Sequence, residues 1–360
     1  MILRRSLRVY RTKILATILL LPLFYFLLYR LAPALQHTSH FTDHATFEHA
    51  STTNTNRSVA LVVATRAADD ISWTYKLQIP QLQVIRYVSD SASAKYHPPV
   101  SKGHEALMYL TYIHDFYDDL PEIMIFIHAD ENPWHMDGAF LESVSFALDH
   151  LDLEEVLLRQ YFNLRVMWKH GCPAQIHTAE TAFDEKKQEQ HLMASAFRSI
   201  FGPDVEVPDI LAGPCCSQFA VTREAIRRRP RHEYKHYVDW LVETDWSDYI
   251  AGRVWEHLWP VVFLNTSVDC TIASQSLCRM YGICFEGQRE LERYQQVWDA
   301  RRFVGNNITF WNELWKPSEV AALRHRRLEY TKWLHERLVA ALNKGKDGAL
   351  TKDAVGNLYT

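Results

Sequence analysis

Apolar and polar residues alternate in blocks along the chain. Val59-Ala60-Leu61-Val62-Val63-Ala64 is a β-branched run that gives way to polar Thr65-Arg66, which predicts a buried strand. Gln83 to Val88 reads as a second strand, ending at Ser89-Asp90-Ser91. Beyond Pro98-Pro99, Ser101 is placed to cap a helix over Lys102–Tyr117, whose Ala106, Leu107, Leu110, Ile113 and Tyr117 keep helical spacing. Asp118-Asp119-Leu120-Pro121 stops that helix, and Ile123 to Ile127 is a third strand running into His128-Ala129-Asp130-Glu131. Strand–helix–strand alternation at this pitch predicts an α/β domain with a substantially parallel sheet. Ligands of such sheets bind beyond the carboxyl ends of the strands, so Arg66 to Asp70, Asp90 and His128 to Glu131 are expected on one side.

The later pattern is more mixed. His177 to Phe201 reads as helical, Gln218 to Val221 as a strand entering a helix at Arg223, and Val261 to Leu264 as a strand. Ser247–Trp259, Glu286–Phe303 and Pro317–Asn343 carry helical patterns. There is no internal repeat, Walker loop, GxGxxG or GxSxG, which disfavours P-loop, standard dinucleotide-binding and α/β-hydrolase chemistry.

One block differs in kind. Ile14 to Tyr29 is sixteen residues without a charge, and Leu31 to Leu35 extend it. That approaches the roughly 20 residues a spanning helix needs, and the lower limit is about 17. Five cations precede the block and only Arg30 follows it closely, so the positive-inside rule predicts a cytosolic N-terminus. The rival reading is a cleaved signal peptide ending near Ala32-Pro33-Ala34; Pro33 and the bulky apolar stretch favour an uncleaved anchor. The expected organisation is a cytosolic tail (1–13), a transmembrane signal-anchor (14–35), a stem (36–58), a luminal α/β domain (59–345) and a C-terminal tail (346–360). This describes a single-pass type II membrane protein of the secretory pathway, in contact with the membrane through its N-terminal helix.

Composition fits that division. The 360 residues are 48% hydrophobic and 23% charged, with a net charge of −4, which excludes a largely disordered chain and argues against a nucleic-acid partner. The first 36 residues hold six cations and no acid, so the remaining chain carries −10. All six cysteines lie after the stem, and an even number in an oxidising compartment predicts disulfides. Adjacent Cys215 and Cys216 are expected to pair with the later cysteines rather than with each other. Asn56, Asn265 and Asn307 head N-glycosylation sequons.

Candidate chemistry starts at the third strand. Asp130 and Glu131, with His128, are candidate ligands for Mg²⁺ or Mn²⁺, which would neutralise a substrate diphosphate. Arg66, Asp90, Lys102, His104 and Glu105 are candidate donor-binding residues. Glu256, between Trp255 and Trp259, is a candidate catalytic base, with Asp245 as its alternative. Arg227, Arg228, Arg229 and Arg231 form a cluster suited either to phosphates or to a solvated helix end.

Ser101-Lys102-Gly103-His104-Glu105-Ala106, the apolar helix after it, and Ile125 to Asp130 together resemble the donor-binding half of GT-A glycosyltransferases. His128 stands where that fold's DxD motif has its second acid. A closer resemblance covers about 250 residues from Val59 and is to the fungal family catalogued as domain of unknown function 3431. It rests on Val62 to Arg66 with Ser72-Trp73, Gly103 to Ala106, Tyr117 to Pro121, Phe126 to His128, Gln218 to Glu224 and Gly252 to Trp259. His104 departs from the Arg usual there. The resemblance implies a GT-A-like α/β sheet with flanking helices, a nucleotide-sugar donor, and a glycan or small-molecule acceptor. A degenerate membrane-tethered binding or accessory protein, or a tailoring protein of a fungal secondary-metabolite pathway, is the alternative expectation.

Overall fold

The computed structural model describes residues 57–346. They belong to the second of the chain's two units, Thr53–Thr360. The predicted cytosolic tail, anchor and stem up to residue 56, with the Asn56 sequon, lie outside the described residues, as does nearly all of the C-terminal tail. Among the described residues, no helix is long and apolar enough to cross a membrane.

The centre is a five-stranded mixed sheet. Its strands are β1 (Val59–Thr65), β2 (Leu82–Val88), β3 (Ile123–His128), β4 (Tyr161–Asn163) and β7 (Phe219–Thr222), in the order β2-β1-β3-β7-β4. Strand β1 pairs in parallel with both β2 and β3, whereas β7 runs antiparallel to β3 and β4. The sheet is thus parallel only in its first half, a correction to the expectation from alternation alone. Two short strands, β5 (Ile176–His177) and β6 (Ile210–Leu211), form a separate antiparallel pair.

Every residue of β1 is buried, as its unbroken apolar run requires of a strand covered on both faces. Ala60, Val62 and Ala64 face one core, and Val59, Leu61 and Val63 the other. The first core receives α1 (Glu105–Asp115), α4 (Met193–Phe201), α5 (Arg223–Arg227), α6 (Arg231–Glu243), α7 (Asp248–Glu256) and α8 (Trp259–Leu264). The second receives α2 (Val144–His150), α3 (Leu153–Arg159), α9 (Ala273–Tyr281), α10 (Gln288–Asn306) and the far half of α12 (Pro317–Lys346). Short α11 (Phe310–Trp315) lies in the turn between α10 and α12. The result is a helix–sheet–helix sandwich whose cores close within the described residues.

Val261–Leu264, read as a strand, belongs to α8: Pro260 enters its first turn and Asn265 ends it in a left-handed conformation. The helix expected over 177–201 is confined to Met193–Phe201 after a short 3-10 turn, because the polar stretch before it offers no apolar stripe to bury. Three disulfides, Cys172–Cys270, Cys215–Cys216 and Cys278–Cys284, use all six cysteines. The adjacent pair does bridge, contrary to expectation; Cys216 and Ser217 adopt positive φ of 89° and 47°, which turns the chain there.

Candidate functional site

The carboxyl ends of β1, β2 and β3 open into a cleft of about 530 Å³. Arg66, Asp69 and Asp70 line it from beyond β1, Ser89 from beyond β2, and His128 and Asp130 from the end of β3. Lys102, His104 and Glu105 come from the start of α1, and Asp248 from the start of α7. The wall beyond β1 is built by Arg86, a lone cation within strand β2. Its guanidinium donates to the carbonyls of Arg66, Ala67 and Asp69 at 2.9–3.1 Å. Asp90 accepts the Ala67 N–H at 2.7 Å, and Asp69 accepts that of Arg66 at 2.7 Å. Trp73 Nε1 donates to the Ala129 carbonyl at 2.9 Å and so ties the segment after β1 to the end of β3.

The opposite wall depends on two glycines. Gly103 has φ +68°, and a Cβ there would lie 2.6 Å from Leu241 of α6. Gly252 lets α7 approach α1, since a Cβ would lie 2.5 Å from the His104 ring and 3.3 Å from the Gly103 backbone. His104 also sits at positive φ, donates its N–H to Asp248 at 3.2 Å and pairs with that carboxylate through Nδ1 at 3.2 Å. The helix therefore starts at Glu105, three residues later than a Ser101 cap would place it. Lys102 donates to the Thr244 carbonyl at the end of α6, where a cation suits the helix dipole. An ammonium has three N–H donors, so two remain for a ligand.

At the cleft floor, His128 Nε2 lies 3.7 Å from Glu105 Oε2, an ion-pair distance, and has no hydrogen-bond partner. Burial works to lower the His128 pKa, but Glu105, with Glu256 and Asp130, more than offsets it and the pKa is raised. Burial works to raise the Glu105 pKa, and His128 reverses that too. Each group of the pair thus favours the charged form of the other. Neighbouring His135 is neutral: burial, with His128 and Arg165 adding to it, pushes its pKa down to about 3. Gln218 joins the two, accepting the His128 backbone N–H at 3.2 Å and meeting His135 Nε2 at 3.0 Å.

Other sequence-derived candidates fall elsewhere. Glu256 accepts the Cys216 N–H at 2.7 Å, beside the disulfide and outside the cleft lining. Arg253, on the same helix as Glu256, holds Glu189 at 2.7 and 2.8 Å. Asp245 is exposed and does not line the cleft. Glu131 accepts the Ser145 hydroxyl at 2.6 Å and does not line the cleft. Among the described residues, the one group of three His, Cys, Asp or Glu that brings its ligand atoms together is Cys215, Cys216 and Glu256, whose sulfurs are already bonded to each other. The ligand atoms of His128, Asp130 and Glu131 do not come together as a group of three. Asn265 is exposed, whereas the Asn307 amide donates to the Phe303 carbonyl at 2.8 Å.

The arginine cluster is structural. Arg227 donates to the Tyr117 and Asp118 carbonyls, Arg228 to Phe263, Arg229 to Val261 and Val262, and Arg231 to His114. These guanidiniums occupy carbonyls at the ends of α1 and α8 that the helices leave unpaired.

Sequence reasoning missed Arg86, Ser89 and Asp248. Arg86 had a signal, as the single cation inside an apolar strand, and Asp248 had one in following the Ser247 cap. Gln218 and His135 had none, because their roles depend on β7 and on the segment after β3 meeting.

No curated protein and no solved structure matches this chain. A family model does match residues 61–279, over which the walls and floor of the cleft are built. The chain belongs to the family described as protein of unknown function DUF3431.

Proposed function

We propose that this protein is glycosyltransferase-like: it holds a nucleotide-diphosphate sugar in the cleft and passes the sugar to an acceptor hydroxyl. The observation that carries the reading is the gathering of Arg66, Lys102, His104 and the His128 imidazole with Asp130 in one cleft at the ends of three parallel strands. Its volume falls within the roughly 300–1,000 Å³ of small-molecule sites. The resemblance of the Gly103 helix and the end of β3 to the donor half of GT-A enzymes supports the same reading.

Arg66 and Lys102 take the diphosphate oxygens, with the His128 imidazolium beneath them. The acceptor oxygen attacks the anomeric carbon, and a new glycosidic bond forms as the bond to the phosphate oxygen breaks. The electron pair leaves with the nucleoside diphosphate, where the fixed cations stabilise it. The acceptor proton passes to Asp130. Arg66, Lys102 and His128 supply the charge that neutralises the diphosphate, so transfer is expected to persist in a chelator. The protein is proposed to work on the luminal side of a secretory membrane, held by its predicted N-terminal anchor.

A second reading, a binding or accessory protein, is favoured by the absence of both Glu256 and Asp245 from the cleft lining. Incubation with a panel of nucleotide sugars and candidate acceptors separates the two. Donor hydrolysis or transfer that survives chelation and is lost in Asp130→Ala supports the enzyme. Donor binding without turnover supports the accessory protein, and no response to any donor contradicts the enzyme and leaves the accessory protein ahead.

A further inference from the structure

The three disulfides constrain the chain unequally. Cys172–Cys270 joins residues 98 positions apart and Cys278–Cys284 residues 6 apart, whereas Cys215–Cys216 joins neighbours. A crosslink stabilises by limiting the unfolded chain, and does so more as the loop it closes lengthens. A bridge between neighbours closes no loop, so opening it removes little stability and leaves the other two crosslinks in place.

The surroundings of this bridge suit a thiolate. The buried Arg165 guanidinium donates through Nη1 to Cys215 Sγ at 2.7 Å and lies 3.9 Å from Cys216 Sγ. Asp137 holds its Nε at 3.1 Å and so fixes the fork against the sulfurs. Sulfur in a disulfide is a weak acceptor, but a thiolate beside an arginine is stabilised. Cys215 also lines a small cavity with His170, Glu256, His257 and Asp269. Asp269 pairs with Arg159, and His257 with Glu189 at 2.9 Å. Glu256 holds the Cys216 N–H at 2.7 Å, and its carboxylate lies within 4.8 Å of both sulfurs, where it opposes negative charge. At Cys215 the nearer charge is the guanidinium, and attraction falls with distance, so Arg165 prevails there. Both cysteines are only half-buried, which leaves them open to a reagent.

We propose that Cys215–Cys216 is a redox-active disulfide that exchanges with a dithiol, with Cys215 as the sulfur that departs as thiolate. A thiolate of the dithiol attacks Cys216 Sγ, the bond between the two cysteines breaks, and its electron pair goes to Cys215 beside Arg165. The second thiol of the dithiol, once deprotonated, attacks the mixed disulfide and frees Cys216, which takes up a proton. Two electrons have then passed to the protein, the dithiol has become a disulfide, and its other proton has gone to solvent. The predicted oxidising lumen keeps the bond closed until such a dithiol meets it. The bond lies two residues before Gln218, which accepts the His128 backbone N–H on the cleft floor.

The test treats the full chain in detergent micelles with graded dithiothreitol, alkylates free thiols with iodoacetamide and maps the labelled peptides by mass. Cys215 and Cys216 should be labelled at about a tenth or less of the dithiothreitol that opens the other two bridges, with the thermal unfolding midpoint unchanged. Cys216→Ser leaves a free Cys215 against Arg165, and its alkylation should reach half its maximal rate about one pH unit or more below the value of an ordinary cysteine. Cys215→Ser leaves Cys216, which should titrate at or above that ordinary value. Labelling of the pair only together with the other four cysteines, unfolding on its selective reduction, or a Cys215 that titrates no lower than Cys216 would each overturn the proposal.

Discussion

His128 is pulled in two directions, by burial toward the neutral ring and by Glu105 toward the imidazolium, and Glu105 prevails. A histidine whose folded pKa is raised above about 6.5 contributes stability that is complete below that pH and is lost as pH rises through the folded value. Anion affinity follows the same sign, because only the protonated ring attracts phosphate. Donor affinity should therefore fall on alkaline titration, and His128→Gln should flatten that profile. Glu105→Gln should move it toward acid, since burial is then opposed only by Glu256 and Asp130; calorimetric titration across pH checks both. Glu189 provides a control outside the cleft lining. Burial raises its pKa, but His257 and Arg253 bring it down to about 2. Its contribution to stability is present above about 4.5, the ordinary carboxylate value, and is lost as pH falls toward 2. Glu189→Gln should cost about 3 kcal/mol in denaturant titration, because it leaves Arg253 without its partner charge. The strand-end residues were legible in the sequence, since a β-branched run followed by polar residues fixes where a strand stops. Cys215 and Cys216 were misread because the positive φ at Cys216 and Ser217 leaves no mark in composition.

At the scale of elements, the contact between α1 and α7 decides the shape of the cleft. Gly252→Ala would put a Cβ against the His104 ring, and overpacking of this kind costs about 1–3 kcal/mol. The expected result is a modest fall in stability with a larger loss of donor affinity. The Gly252→Ala/His104→Ala pair should recover part of the stability, which a double-mutant cycle would detect. The arginine-bearing segment behaves in the opposite way. Arg229 holds two carbonyls of α8 together with Glu233 and Tyr237, so Arg229→Ala should destabilise by about 2–3 kcal/mol without altering donor affinity. Loss of affinity in a variant of unchanged stability would restore the phosphate-clamp reading. Helices such as α7 and α12 were legible from their periodicity and caps. Strand β7 was legible as a strand, but its antiparallel direction was not: pairing direction is set by which neighbours meet, and the apolar run of Phe219 to Thr222 suits either direction.

For the whole molecule, the modest net charge conceals segregation: a basic N-terminal block attached to an acidic remainder. The sequence placed the strand ends on one side, and the fold adds the wall from α1 and α7 that converts them into a cleft. Glu256 looked catalytic because two tryptophans surround it in sequence, yet the turn at Cys216 takes up its carboxylate. The account stands on the cleft being an anion-binding donor site. The most direct measurement is calorimetric binding of nucleotide-diphosphate sugars in the presence of a chelator, for wild type, Arg66→Ala and Lys102→Met. The account predicts that at least one donor binds the wild type, with an affinity loss of about tenfold or more in each variant, since each removes a charge-assisted contact worth about 1.5–3 kcal/mol. A donor that binds all three proteins equally, or no donor binding at all, would contradict it.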